Sequence, residues 1–568
     1  MLIRKYLIIA PIVLLLGLCL VPPGEIMAQV ESEALGGVAS SQQEGNMEGV
    51  VVSARRDGAN FTVSVVSNAE GRYSFPRSHV EPGTYTVTTR AVGYDLNDPG
   101  TVEVTANQAT SLDLGLQPTA DLASQLSSLE WAMSMTGTTE EKDQLVYQAL
   151  SCAYCHTYER IMKSRYTADE LVPVIQRMQN YYQDGTASGR GGRGRAQPKS
   201  EAQLISLEQN PPQNAGIAPG APIADLAKYI ATNNLSDGRT TWPYELKTLP
   251  RPTGQATRVI ITQWDMPRRG TVPHDMDVDS QGIFWYTDES RQIFGKLDPK
   301  TNEFTEYPLP PVPDGDVPGA RDIQMDQDDN PWFVMRTPGS GTILAKFDRE
   351  TEELTTIDGT GGQFLSLGPD GKMWVGLQRI DPETMQLDAE FTWNDSPNLP
   401  PGPHGSYAGL TGIDSKGNPY LTDFIGSHII EIDVETGEAN FYEVPTQNSM
   451  PRRARMDAQD RFWFAEYTGD QIGVFDTKTK EFQEWPLPYK YTTPYTVSRP
   501  DNNGYVYASS NMSERILRLN TNTGEVIEYQ IPTDFDSKKM GHDPTTDGVA
   551  LWMANTRNAR VTRVEPLD

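Results

Sequence analysis

The feature that most restricts the fold of this chain is a sevenfold repeat in its carboxy-terminal half. Aligning DSQGIFWYTD, DQDDNPWFVM, GPDGKMWVGL, DSKGNPYLTD, DAQDRFWFAE, DNNGYVYASS and TDGVALWMAN places an aromatic at one register in every copy. These are Trp285, Trp332, Trp374, Tyr420, Trp463, Tyr507 and Trp552, spaced by 47, 42, 46, 43, 44 and 45 residues. That interval suits one four-stranded propeller blade, a unit that buries its apolar face only by stacking on its neighbours. Most copies continue into a strand ending in Asp or Asn, as in GKLDPKT or LRLNTNT, and several close on an aromatic-rich strand such as FTEYPLP. The last copy stops after RVTRVEPLD without that outer strand, while VIITQWDMP before the first copy reads as an orphan one. Pairing the two predicts a seven-bladed β-propeller over residues 256–568, closed by its own N- and C-terminal strands so that no open sheet edge is left.

The upstream half is different material, and the whole reads as a multidomain, mainly β chain. Residues 46–118 carry short alternating segments (EGVVVSARR, FTVSVVSN, GRYSF, GTYTVTTRAVGY, TVEVTA) between turn residues, the pattern of a small antiparallel β-sandwich. Residues 138–235 turn helical, with candidate helices over 142–151, 168–182 and 223–232. A Gly-, Arg- and Pro-rich insertion over 185–222 cannot build a core and reads as a flexible loop. At the amino end, Arg4 and Lys5, an apolar run over 6–21, Pro22 and Pro23, then Met27-Ala28, read as a secretory signal, residues 1–28, cleaved after Ala28. The competing reading is an uncleaved anchor. The mature protein is expected to be periplasmic or secreted, without a membrane span. The full chain's net charge of -28 argues against nucleic acid and anionic membrane surfaces as partners.

Cleavage would also remove Cys19, leaving Cys152 and Cys155 as the remaining cysteines, in ALSCAYCHTYERI. A structural zinc site would need a second ligand pair, and a thioredoxin-like dithiol would lie in a strand-helix-strand setting. Cys-x-x-Cys-His instead fits covalent haem c: Cys152 and Cys155 bond the vinyl groups and His156 coordinates the iron. Export agrees, because c-type maturation happens outside the cytoplasm. Leu171, Ile175, Met178 and Tyr182 share one helical face, which makes Met178 the expected second axial ligand. Met162, or no protein ligand, remains the alternative.

In the propeller, the position eleven residues before each register aromatic should line the mouth of the central channel. It selects His274, Arg321, Gln363, Gly409, Arg452, Thr496 and Gly541, with Arg453 and His542 adjacent. Such a mouth offers Arg321, Arg452 and Arg453 to an anionic or carbonyl-bearing ligand. His274, His404 and His542 are the candidate catalytic imidazoles. His428 reads as a loop residue and His79 as a solvated turn histidine.

Three resemblances add to this reading. Gly71-Arg72-Tyr73-Ser74-Phe75, then Pro82-Gly83-Thr84-Tyr85-Thr86-Val87 and Gly93, resemble the carboxypeptidase regulatory-like family, which implies a prealbumin-like sandwich of accessory role. The run from CAYCH through VIQRM to LAKYIATNNL resembles short class I cytochrome c domains, which implies His/Met-ligated haem and electron transfer. PHDMDVDSQGIFWYTD with FGKLDPKTNEFTEYPLP resembles the streptogramin (virginiamycin B) lyase family of seven-bladed propellers. That likeness implies a metal such as Mg in the channel and histidines that promote elimination from a cyclic depsipeptide. Three functions follow: an exported haem protein whose propeller binds a substrate or an electron-transfer partner, a carbon-oxygen lyase with an accessory haem domain, or a binding module without turnover. Ligand-dependent haem reduction, product formation at unchanged haem oxidation state, and saturable binding alone would distinguish them.

Overall fold

The computed structural model describes residues 32–98, 100–148, 156–183, 223–289, 293–310, 319–337, 341–405 and 410–567. Cys152 and Cys155, the signal over 1–28 and the insertion over 185–222 therefore lie outside the described residues. Among the described residues no helix is long and apolar enough to cross a membrane.

The repeats fold as six separate four-stranded antiparallel sheets plus a seventh four-strand unit. The inner strands are Pro273–Val278, Gly319–Met325, Leu365–Leu367, Leu410–Ile413, Pro451–Met456, Pro494–Val497 and Met540–His542. The seventh blade is assembled from both ends of the domain. Val259–Asp265 pairs antiparallel with Arg560–Pro566, from Val259 opposite Pro566 to Asp265 opposite Arg560. Blade 7 then packs on blade 1 through Trp264, Trp552, Phe284, Tyr286 and Met276.

One aspartate recurs at the start of the turn between the first two strands. Asp279, Asp326, Asp457 and Asp543 each accept the indole N–H of the register tryptophan, at 3.1, 3.0, 2.8 and 3.0 Å. The same carboxylates accept backbone N–H groups of the turn, as Asp279 does from Gln281 and Ile283. A buried tryptophan thus has its one donor satisfied, and the turn it closes is fixed with it.

The sandwich begins earlier than Asn46, because Glu33–Ser41 is a strand. It pairs antiparallel with Arg72–Pro76 and parallel with Leu114–Pro118, so the sandwich is not purely antiparallel. EALGGVASS lacks the alternation of large apolar residues that marks a half-buried strand; its small residues serve close approach instead. A Cβ on Gly37 would come within 1.9 Å of the Leu112 carbonyl oxygen. The other sheet of the sandwich runs on into the propeller: Phe61–Val66 pairs with Val259–Asp265, giving one eight-stranded sheet. His79, expected in solvent, sits at this seam with Nε2 3.2 Å from Glu565 Oε2.

Between these units lie α1 (Ser128–Ser134), α2 (Thr139–Asp143), α3 (Glu159–Met162), α4 (Ala168–Gln183) and α5 (Ile223–Asn233). The single helix expected over 142–151 is instead α2 followed by a π-helical turn, Gln144–Gln148. Helix α1 precedes the helical region expected over 138–235, and its Ser127–Glu130 capping box is visible in SSLE. These helices share one core with Tyr491 and Met512 of the propeller.

Trp552 stacks on Trp264 at 5.2 Å and leans on Phe284 at 5.4 Å where the first and last strands of the propeller meet. Trp552→Ala should therefore cost about 3–5 kcal/mol, read as a drop in the propeller's denaturation midpoint. A loss below about 1 kcal/mol would show that this seam does not hold the domain together.

Candidate functional site at the propeller mouth

Five inner strands slip register near their starts, between Pro273 and Met276, Ala320 and Ile323, Leu410 and Gly412, Arg452 and Arg455, and Pro494 and Val497. A bulge re-aims neighbouring side chains, so that His274 and Asp275, or Arg452 and Arg453, each find partners of their own. Arg453 takes a left-handed backbone with φ 42°, an uncommon conformation for a residue with a side chain.

Three of the sequence candidates meet in one network. His274 Nδ1 is 2.6 Å from Asp275 Oδ2, and Arg453 grips the same carboxylate at 2.5 and 3.4 Å. His274 Nε2 lies 4.0 Å from Glu289 Oε2, while Arg321 donates to Glu289 Oε1 at 2.9 and 2.7 Å and to Gln363 at 2.9 Å. All of these except Gln363 are buried. Burial pushes His274 below the usual imidazole range despite the neighbouring carboxylates, so it is neutral at neutral pH. Burial would raise Asp275, but Arg453 and His274 outweigh it and hold the carboxyl well below its ordinary range. An ionised Asp275 therefore accepts from Nδ1–H and leaves Nε2 as the basic nitrogen of His274. Such an arrangement can take a proton, with Arg321 nearby to stabilise negative charge.

The other candidates lie elsewhere. The Arg452 guanidinium stacks 3.7 Å over Tyr495, 4.9 Å from Tyr467 and 5.4 Å from Phe424, a cation held by aromatic faces between blades. His404 is on the same face but joins Asp423 and His428 in blade 4. His542 is a correction. It pairs with Leu551 just before Trp552, as Val278 pairs with Phe284 just before Trp285, which puts it at the far end of the inner strand. The cause is the short 3-10 turn Pro544–Thr546, which sets Trp552 nine residues after Asp543 where Trp285 follows Asp279 by six. With that insertion removed, the mouth position of blade 7 is Lys538, not Gly541.

Lys538 and Lys539 are thus mouth residues that a fixed offset misses. Lys538 pairs with Asp536 at 2.5 Å and Lys539 with Asp322 at 2.8 Å. Four mouth carboxylates have a cation: Asp275 with Arg453, Glu289 with Arg321, Asp322 with Lys539, Asp536 with Lys538.

The helical unit docks on this same face, over blades 5 and 6. Tyr147 donates to Asp470 at 2.6 Å, Tyr491 donates to Asp143 at 3.0 Å, and the Leu129 N–H donates to the Met512 carbonyl at 2.8 Å. His156 lies within electrostatic reach of Arg557 and Asp534 at the start of blade 7. Its Nδ1 is 2.9 Å from the Thr157 carbonyl, and burial lowers its proton affinity. A neutral imidazole with Nδ1–H on a carbonyl presents Nε2 to a metal, so this donor fits axial ligation of haem iron. Met178 lies on α4, with its side chain outside the described residues. Met162 is fully buried, its sulfur 3.9 Å from the Tyr244 hydroxyl.

The position three after each register aromatic ties the crossing loops to this face. Asp288 accepts from the Val272 N–H at 3.0 Å, Asp423 from Gly405 at 2.9 Å and Asn555 from Asp536 at 3.2 Å. In blade 5 the residue is Glu466, buried against Glu484, and burial with that second carboxyl lifts it from 4.5 to about 9. The unfolded chain loses this proton near 4.5 and the folded chain keeps it to about 9, so stability falls as pH rises through that window. Glu466→Gln should leave stability near pH ~4 unchanged and raise it near pH ~8, flattening a slope of up to about 1.4 kcal/mol per pH unit. Parallel stability-pH curves for the two proteins would contradict this.

Two family models match parts of the chain. Residues 34–117 match the carboxypeptidase regulatory-like domain and residues 349–568 match the virginiamycin B lyase family. No curated protein matches the chain. Among solved structures, virginiamycin B lyase from Staphylococcus aureus is 20% identical over 54% of this chain and 99% of its own, with a TM-score of 0.45. A streptogramin B lyase is 19% identical over 55% and 99%, with a TM-score of 0.47. Hydrazine synthase of Kuenenia stuttgartiensis is 13% identical over 52% and 95%, with a TM-score of 0.40. The carboxy-terminal domain is a virginiamycin B lyase-like propeller, and the amino-terminal domain a carboxypeptidase regulatory-like sandwich.

Proposed function

We propose that this chain is an exported c-type haem protein in which the helical unit exchanges electrons while the propeller mouth binds a small-molecule substrate or a protein partner. The observation that carries the reading is the docking of that unit on the face where His274, Asp275, Glu289, Arg321 and Arg453 converge. Cys152 and Cys155 would hold the haem covalently, and His156 with Met178 would ligate it. The core contact between Met162 and Tyr244 supports assigning the second axial position to Met178. Haem c so ligated supplies one-electron chemistry. The chain's own residues then do the remaining work. Thr157 orients His156 through Nδ1, and Asp470 with Tyr147 and Tyr491 fixes the helices on the rim. At the mouth, Asp275 holds the His274 tautomer whose Nε2 can accept a proton from a bound molecule.

That last pair also favours a second reading, a lyase that uses His274 as general base and Arg321 to stabilise an enolate, with the haem unit accessory. Elimination consumes no electrons, so the two readings part on the haem.

The exported protein should carry a covalent haem whose reduced spectrum is that of a c-type cytochrome, and Met178→Ala should abolish the methionine-iron charge-transfer band. Protein without covalent haem would sink the proposal. His274→Asn should leave that spectrum unchanged while abolishing ligand-dependent haem reduction. Turnover of a ligand at constant haem oxidation state would favour the lyase.

A further inference from the structure

The cluster on blade 4 belongs to neither the mouth network nor the helical unit. His404 comes from the loop crossing into blade 4, Asp423 ends the strand Pro419–Asp423, and His428 begins the strand His428–Ile432. One ligand atom from each lies within 4.8 Å of the others. Asp423 Oδ1 is occupied by the N–H groups of Gly405 and Gly426, both at 2.9 Å, which leaves Oδ2 to face the two imidazoles.

The hydrogen bonding there leaves room for a cation. His404 Nε2 is 2.7 Å from the Pro400 carbonyl oxygen, an acceptor, so Nε2 must carry a proton. In the neutral ring Nδ1 then presents a lone pair, yet it lies 2.6 Å from Asp423 Oδ2. A second ring proton, or a metal ion in its place, supplies the positive charge between those two atoms. His428 Nδ1 faces the same oxygen at 3.4 Å and is a buried ring nitrogen without a hydrogen bond. Residue 426 is glycine where a Cβ would stand 2.1 Å from Asp423 Oδ2 and 2.6 Å from His404 Nδ1, so the space beside both donors stays clear of side chain. The rings of Trp393 and Phe441 stand 6.5 and 6.2 Å from His404, an apolar wall on one side.

From these contacts we infer that His404, Asp423 and His428 form a binding site for a divalent transition-metal ion of the zinc type. Two imidazole nitrogens and one carboxylate oxygen suit a borderline ion with a fourth position for water, and not magnesium or calcium, which take oxygen. Ligand atoms about 2.0–2.2 Å from a tetrahedral zinc stand roughly 3.3 Å apart. The 3.4 Å separation already meets that, and the 2.6 Å one must open by less than about 1 Å. Pro400 supplies the outer contact that aims His404. The ion would pin the crossing loop to blade 4, next to Phe424 in the Arg452 cage.

The test uses the untagged full chain, stripped with chelator and dialysed against micromolar zinc. Elemental analysis, counting haem iron separately, should find one zinc per chain, with zinc raising the denaturation midpoint. His428→Gln and His404→Gln should each weaken uptake at least about a hundredfold and remove that rise. X-ray absorption at the zinc edge of the wild-type chain should show two imidazole ligands, a readout independent of how the variants fold. Failure of the wild-type chain to take up zinc, an all-oxygen shell, or undiminished binding in folded variants would overturn the site.

Discussion

A hydrogen bond from a buried tryptophan indole to the aspartate that opens the preceding turn locks four of the seven propeller blades. It appears at Trp285, Trp332, Trp463 and Trp552. Each bond satisfies the polar atom of a large core residue and sets where the inner strand meets its turn. In blade 1, Asp279 holds Trp285 and in turn accepts the backbone of the turn, so the strand before it presents His274 to the mouth. Where Tyr507 takes the register position, its hydroxyl reaches Asp501 at a longer 3.4 Å. Blades 3 and 4 depart from it: glycine, Gly368, stands six before Trp374, and Tyr420 donates to Glu431 at 2.5 Å.

That lock explains both what the sequence disclosed and what it hid. The aromatic register and the orphan strand around Trp264 were legible because burial repeats with the blade, and the pairing of Val259–Asp265 with Arg560–Pro566 followed. The mouth residues were legible wherever the aspartate-to-tryptophan interval held, which is why His274, Arg321 and Arg453 meet. In blade 7 the turn Pro544–Thr546 lengthens that interval, so the same offset reached Gly541 and His542 in place of Lys538. His428, expected in a loop, begins the strand His428–Ile432, and its meaning comes from Asp423, whose place three after Tyr420 becomes informative once the crossing loops are seen to tie there. Glu33–Ser41 was hidden for another reason: its glycines are selected for close approach, which leaves no alternation to read.

The three units are joined by specific chemistry. The sandwich extends the sheet of blade 7 through Phe61–Val66, and Asp265 is shared between Arg55 of the sandwich and Arg560 of the propeller. The helices rest on Asp470, which receives Tyr147 together with the backbone of Tyr491 and Thr493. Burial lifts that carboxyl to about 6, so the contact is made by a group costly to desolvate and held by several donors. Placing a buried polar anchor between two units fixes their orientation more narrowly than an apolar contact would. This is what sets His156 over the same face as His274.

A haem held as proposed by Cys152, Cys155 and His156 would lie near the propeller rim on which the helices dock. The direct measurement is methyl NMR of methionine-labelled full chain in the oxidised and reduced states. Met512, packed into the helical core from blade 6, should be shifted or broadened in the ferric protein and sharpen on reduction, while Met373 in the core of blade 3 stays unchanged. Identical Met512 and Met373 signals in both states would contradict the account.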